Sequence, residues 1–189
     1  EQSSSIELKQ LLVMKRFLIP LGDKGFFVLT VDKSKGIKTR ESITYIKYHT
    51  DMTKIFGKSF TLKNNIKYVD HSVIKNYFYL FFQNQNNGKF IILEIDLNSS
   101  KEKKVEGKLF QKAKFHDFAV LENIAYYIAT VKSQLQISKI NLLTGKYTSE
   151  LLGVKNKTKF DKVTVHPDRN LISVTYFNNK DKSFCCDTI

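Results

Sequence analysis

Asn76, Asn123 and Asn170 stand 47 residues apart, and each closes a turn that opens a run of apolar residues. The runs are Tyr77–Phe82, Ile124–Val131 and Leu171–Phe177, and Gly25–Val31 is a fourth, preceded by Gly22-Asp23-Lys24. Self-similarity at a fixed period of this length marks a chain built from stacked supersecondary units, because one such unit cannot bury its apolar face alone.

A second register follows each run after a polar loop: Ile43–Tyr48, Phe90–Leu97, Leu135–Ile140 and Ser183–Cys186. A more charged strand comes next (Ile55–Leu62, Lys103–Phe110, Tyr147–Leu152), and a further strand opens the next unit (Tyr68–Ile74, Phe115–Leu121, Phe160–His166). Each unit therefore reads as four short strands, a to d, with hairpin-length connections. Strand b is apolar on both faces and is expected to be buried on both, whereas strand d suits a half-exposed edge.

Four-stranded units of this length with an apolar inner pair are what a β-propeller blade requires. The expectation is an all-β β-propeller of four-stranded blades of about 47 residues, either a closed four-bladed ring or part of a larger one. One domain spans 1–189, with blades at 15–62, 66–110, 114–152 and 160–189, the last completed by 6–13. Ile6–Val13 has the mixed character of a d strand and would cover the open edge of the final blade. A two-sheet sandwich also uses short strands but has no reason to repeat one strand order at a fixed interval.

Val163–Val174, with His166-Pro167-Asp168-Arg169-Asn170 at its centre, and Ile140–Lys146 resemble blades of the broad WD40/YVTN-like propeller superfamily. The likeness is generic. The Gly-His and Trp-Asp signatures of true WD40 repeats are missing, so it implies a propeller and no particular activity.

Chemical motifs are few. Cys185 and Cys186 are adjacent, so they point to opposite faces of a strand and form neither a disulfide framework nor a zinc pattern. Glycine-rich phosphate loops, nucleophile elbows and His-Glu-x-x-His are absent from the sequence. No cofactor and no metal is expected, and no apolar run approaches the roughly 20 residues that cross a bilayer. The polar start Glu1-Gln2-Ser3-Ser4-Ser5 suits a mature exported protein, so a periplasmic or surface location is favoured over the cytoplasm.

Two groups of residues stand out as sites. Asp70-His71 and His116-Asp117 fall in strands a, which line the channel of a propeller, and Asp70 and Asp117 share one repeat position. They could hold a cation or ligand, but short Asp side chains more often accept bonds from nearby amides, and Thr164 stands at that position in the fourth blade. Glu94 and Asp96 alternate on one face of strand c and read as a solvated face.

The second group is basic. The net charge is +13, from 31 Lys+Arg against 18 Asp+Glu. The repeat puts most of that excess at one rim, made by the b–c and d–a loops. There stand Lys33, Lys35, Lys38, Arg40, Lys63, Lys67, Lys89, Lys112, Lys114, Lys132, Lys155, Lys157, Lys159, Lys180 and Lys182, against Asp32, Glu41 and Asp181. The opposite rim is balanced. A compositional lysine bias would load both rims alike.

The function expected is non-catalytic: a scaffold propeller that docks an acidic protein surface, an anionic glycan or a membrane-surface component, and that could form part of a larger assembly. Nucleic acid is a second possible partner, disfavoured because Arg occurs only at Arg16, Arg40 and Arg169. A propeller enzyme acting on a polysaccharide or lactone is a third reading, with Asp70 and Asp117 as its candidate carboxylates.

Overall fold

The structure, a computed structural model, describes residues 14–32, 41–152 and 158–189. All regular structure in them is strand, apart from two single-turn 3-10 helices at Gly22–Lys24 and Pro167–Arg169. The strands are β1 (Met14–Pro20), β2 (Phe26–Asp32), β3 (Glu41–Tyr48), β4 (Lys54–Leu62), β5 (Lys67–Ile74), β6 (Tyr77–Gln83), β7 (Lys89–Asp96) and β8 (Glu102–Lys108). They continue as β9 (Lys114–Leu121), β10 (Ile124–Val131), β11 (Gln134–Asn141), β12 (Tyr147–Leu151), β13 (Thr158–His166), β14 (Leu171–Asn178) and β15 (Ser183–Thr188).

Each sheet is an antiparallel meander in chain order: β1–β4, β5–β8, β9–β12 and, among the described residues, the three strands β13–β15. The expected b strands are β2, β6, β10 and β14, within one residue of the apolar runs. Residues 6–13, proposed as the closing strand, lie outside the described residues.

The chain divides into two compact units, residues 1–68 and 69–189. In the first, the sheet β1–β4 buries one face, with Phe27, Leu29, Val31, Ile43 and Tyr45 almost fully enclosed. Phe27, Tyr45 and Phe56 meet edge to face, the arrangement that ring quadrupoles prefer. The buried Glu41 carboxylate accepts the Tyr68 amide at 2.9 Å within this unit.

In the second unit the sheets β5–β8, β9–β12 and β13–β15 enclose two cores. One holds Tyr79, Phe81, Phe90, Ile92, Phe118 and Tyr127, with Phe81 stacked on Phe118 at 4.9 Å. The other holds Tyr126, Ile128, Ile137, Ile172, Val174 and Tyr176. The sheet β9–β12 thus lies between two cores, and both faces of β10 are buried, as are both faces of β6. β2 and β14 differ from the expectation: they alternate between buried and part-exposed residues, and the half-open face of β14 carries Ser173 and Thr175.

One six-residue turn recurs three times. At Asn84, Asp96 and Asn141 a side-chain oxygen accepts amides two and three residues on, a local bond that short Asn and Asp side chains favour. The same residue's carbonyl accepts the amide of Gly88, Ser100 or Gly145 four residues on. Gly145, at φ +70°, is held against β8: a Cβ there would lie 2.5 Å from the Glu106 carbonyl oxygen. A Cβ on Gly107 would meet the Phe90 ring and sit 3.0 Å from the Gly145 carbonyl oxygen.

Candidate functional site

The strand-a residues come first, because the repeat placed them together. Asp70 on β5 and Asp117 on β9 are near enough for the charge of Asp117 to act on Asp70. Burial, and after it that neighbouring charge, pushes the Asp70 carboxyl up to about 6, against the bond from the His71 amide. Asp117 is also raised by burial, but it accepts the Phe118 amide at 2.8 Å and the Val163 amide of β13. Asp117 therefore staples one sheet to the next.

His116 does not join the carboxylates. β9 carries an extra residue opposite Ile128 and Ala129, and that residue is His116. The bulge aims its ring at Thr130, bonded at 2.7 Å, and at Phe160, stacked at 5.0 Å. His71 sits edge-on to Phe78, its Nδ1 3.7 Å from the Asp70 Oδ1. Burial lowers both histidines below the ordinary range, helped at His116 by the charge of Lys114. Among the described residues no three His, Cys, Asp or Glu side chains converge as a metal site requires.

The basic residues are clearest in the unit 69–189. An antiparallel meander sends its b–c and d–a connections to one end, and here the two touch: Leu109 and Lys112 amides bond to the Gly88 and Gln85 carbonyls. At that end Lys89, Lys112, Lys114, Lys132, Lys159, Lys180 and Lys182 are all exposed. Asp181 faces them as the carboxylate of the same loops, and the Asn178 amide binds it at 2.8 Å. Two ion pairs between Lys and Glu in this unit lie elsewhere, Lys104 to Glu106 and Lys139 to Glu150. Lys63 and Lys67 are exposed in the unit 1–68, and Lys33, Lys35, Lys38, Arg40, Lys155 and Lys157 lie outside the described residues.

A cavity that the sequence does not announce opens at the other end of this unit. It measures ≈440 Å³ and is lined by Ile74, Lys75, Tyr77, Tyr79, Glu94, Glu122 and Asn123. Glu94 is part-exposed, and the Tyr79 hydroxyl donates to its carboxylate. Asp96, its neighbour on the same face, caps a turn instead.

Comparison with solved structures bears on the fold. Cobalt-substituted Synechocystis ACO, an apocarotenoid oxygenase, superposes with a TM-score of 0.51 at 8% identity, over 92% of this chain and 49% of that one. A prolyl endopeptidase, from a study of inter-domain dynamics in two such enzymes, gives 0.59 at 9% identity, over 94% of this chain and 25% of its own. The fold is propeller-like. This chain spans about half and about a quarter of those proteins, and at such identities the likeness is one of fold alone. No family model matches the chain, and no curated protein matches it in sequence.

Proposed function

We propose that the chain is a non-catalytic binding propeller that docks an acidic protein surface or an anionic glycan through its lysine-bearing end. The observation that carries this reading is the set of seven exposed lysines among the described residues of 69–189, with the exposed Asp161 and the hydrogen-bonded Asp181 as carboxylates near them. Charges of one sign at one end raise the local concentration of an anionic partner and its rate of encounter. The test is retention on heparin across a salt series, with a duplex oligonucleotide as the nucleic-acid comparison. The variant Lys112→Glu/Lys114→Glu/Lys159→Glu is expected to weaken heparin binding and flatten its salt dependence, with thermal stability unchanged. Equal losses from Lys24→Glu/Lys101→Glu/Lys146→Glu would defeat it, and tighter binding of the oligonucleotide would favour the nucleic-acid reading.

The finer architecture belongs to the same proposal. We read the four sheets as successive blades of one propeller, with Ile6–Val13 as the strand that β15 lacks. The support is chemical: the β15 edge is exposed, Phe184 is 70% accessible, and uncovered strand edges invite aggregation. Cys185 and Cys186 make the idea testable, since both are free. Single cysteines placed along residues 7–11 should form an intramolecular disulfide with one of them under mild oxidation. Only intermolecular dimers, at every position tried, would point to a chain that completes a larger ring.

A further inference from the structure

The ≈440 Å³ cavity lies at the end of the strands opposite the lysines, so it is independent of the docking reading. Its volume falls in the range of small-molecule sites, about 300–1,000 Å³. Two turns of the same kind form its mouth. Lys75 and Glu122 lead the β5–β6 and β9–β10 turns in the left-handed conformation, both at φ +52°. The turns are pinned in the same way, Asn76 and Asn123 each accepting a backbone amide at 2.8 Å, from Leu97 and Leu142. The mouth is thus held by hydrogen bonds made before any ligand arrives.

The wall is aromatic. Tyr77 is 38% accessible, with its ring centroid 6.2 Å from that of the buried Tyr79. The Tyr79 hydroxyl fixes Glu94, and burial together with that carboxylate raises the phenol well above its ordinary value, so it stays a donor. The next sheet shows what this arrangement becomes when its charge is satisfied internally. Tyr126 faces Lys139 across β10–β11 as Tyr79 faces Glu94 across β6–β7. Lys139 is paired with Glu150 at 2.9 Å, whereas the ion pairs among the described residues do not include Glu94.

The lining therefore brings one ammonium, two carboxylates, one amide and the Tyr77 phenol around an exposed ring face. A cationic ligand would meet Lys75, and an anionic one would meet Glu94 and Glu122. Hydroxyl groups donate and accept at once, so a neutral polyhydroxylated ligand satisfies all of these groups together. The C–H face of a pyranose also suits the Tyr77 ring, which supplies apolar area with a polar tip. We propose that this cavity, lined by Lys75, Tyr77, Glu94, Glu122 and Asn123, is a binding site for a neutral saccharide of one or two rings.

The test is an amide chemical-shift titration of the full chain with methyl β-glucoside, methyl N-acetyl-β-glucosaminide and maltose, and separately with putrescine and inorganic phosphate. At least one saccharide should shift the amides of residues 74–79 and 122–123 and saturate. Tyr77→Ala and Glu122→Gln, both at exposed positions, should each weaken that saccharide about tenfold or more while leaving the melting temperature unchanged. The proposal is overturned if no saccharide shifts these amides, if putrescine or phosphate binds there more tightly, or if Tyr77→Ala leaves saccharide affinity intact. Because heparin retention depends on the other end of the strands, its loss or survival does not bear on this outcome.

Discussion

β10 and β14 stand one repeat apart and play the same part in their sheets, yet β10 is buried on both faces and β14 on one. Ile128 and Thr175 occupy the same repeat position, 47 residues apart. Ile128 is fully enclosed, while Thr175 stands on the half-open face with Ser173. The strands share hydrogen-bonding geometry and differ in what covers them. Burial here belongs to the neighbour as much as to the strand. The half-open face of β14 carries Ser173 and Thr175, where the enclosed β10 has Tyr126 and Ile128.

The largest effects should separate these two strands. Ile128→Ala is expected to cost about 3 kcal/mol in chemical denaturation, because the enclosing sheets close only partly over the space left behind. Thr175→Ala should change stability by less than about 0.5 kcal/mol. Equal costs at the two positions would mean that the open face of β14 is covered in the intact protein, and the comparison would fail.

Asp117 and Asp70 sharpen the same contrast by a smaller amount. Asp117→Ala leaves the Phe118 and Val163 amides without their acceptor and should cost about 2 kcal/mol. Asp70→Asn should do the reverse above neutrality. The folded Asp70 carboxyl is pushed up to about 6, above its ordinary value of 3.8, so the folded chain holds a proton that the unfolded chain releases. Stability from this group is therefore present below pH 3.8 and declines as the pH rises towards 6. The variant should match the parent at the acid end of that window and exceed it by about 1 kcal/mol at pH 7, a figure already reduced for the partial exposure of the site. The lowered histidines, His71 and His116, act in the opposite direction, losing stability as the pH falls, and comparing variant with parent removes their common share. A pH-independent difference would show that burial does not keep the folded Asp70 carboxyl protonated at the pH where the unfolded one has ionised.

Much of the scaffold was legible in the residues, because apolar runs and turn residues encode it locally. The b strands begin and end within a residue of their runs, and the recurrent turn is written in Asn84, Asp96 and Asn141. The half-open face of β14 was legible too, in Ser173 and Thr175, but an average over the repeat conceals it. The turning of His116 was not. It follows from a bulge that no glycine marks, and its direction is set by Thr130 and Phe160 from other strands. The cavity was hidden for a related reason. Its lining comes from three separate segments, and only the pairing of β6 with β7 brings Glu94 opposite Tyr79. Of the lysine-bearing end, the sequence supplied the residues and the meander supplied their common side.

The close passage of Gly107 and Gly145 has a consequence for symmetry. These glycines let the outer strand of one sheet and a turn of the next approach backbone to backbone, and that approach helps to set the angle at which the two sheets diverge. In a radial array the number of units in a full circle is one turn divided by that angle. An added side chain at Gly107 would act as a shim at the circumference, opening the wedge and favouring fewer units per turn, while the hydrogen bonds within each sheet remained as they are. In a propeller-like fold, two residues without side chains thus bear on a property of the array that no single sheet possesses.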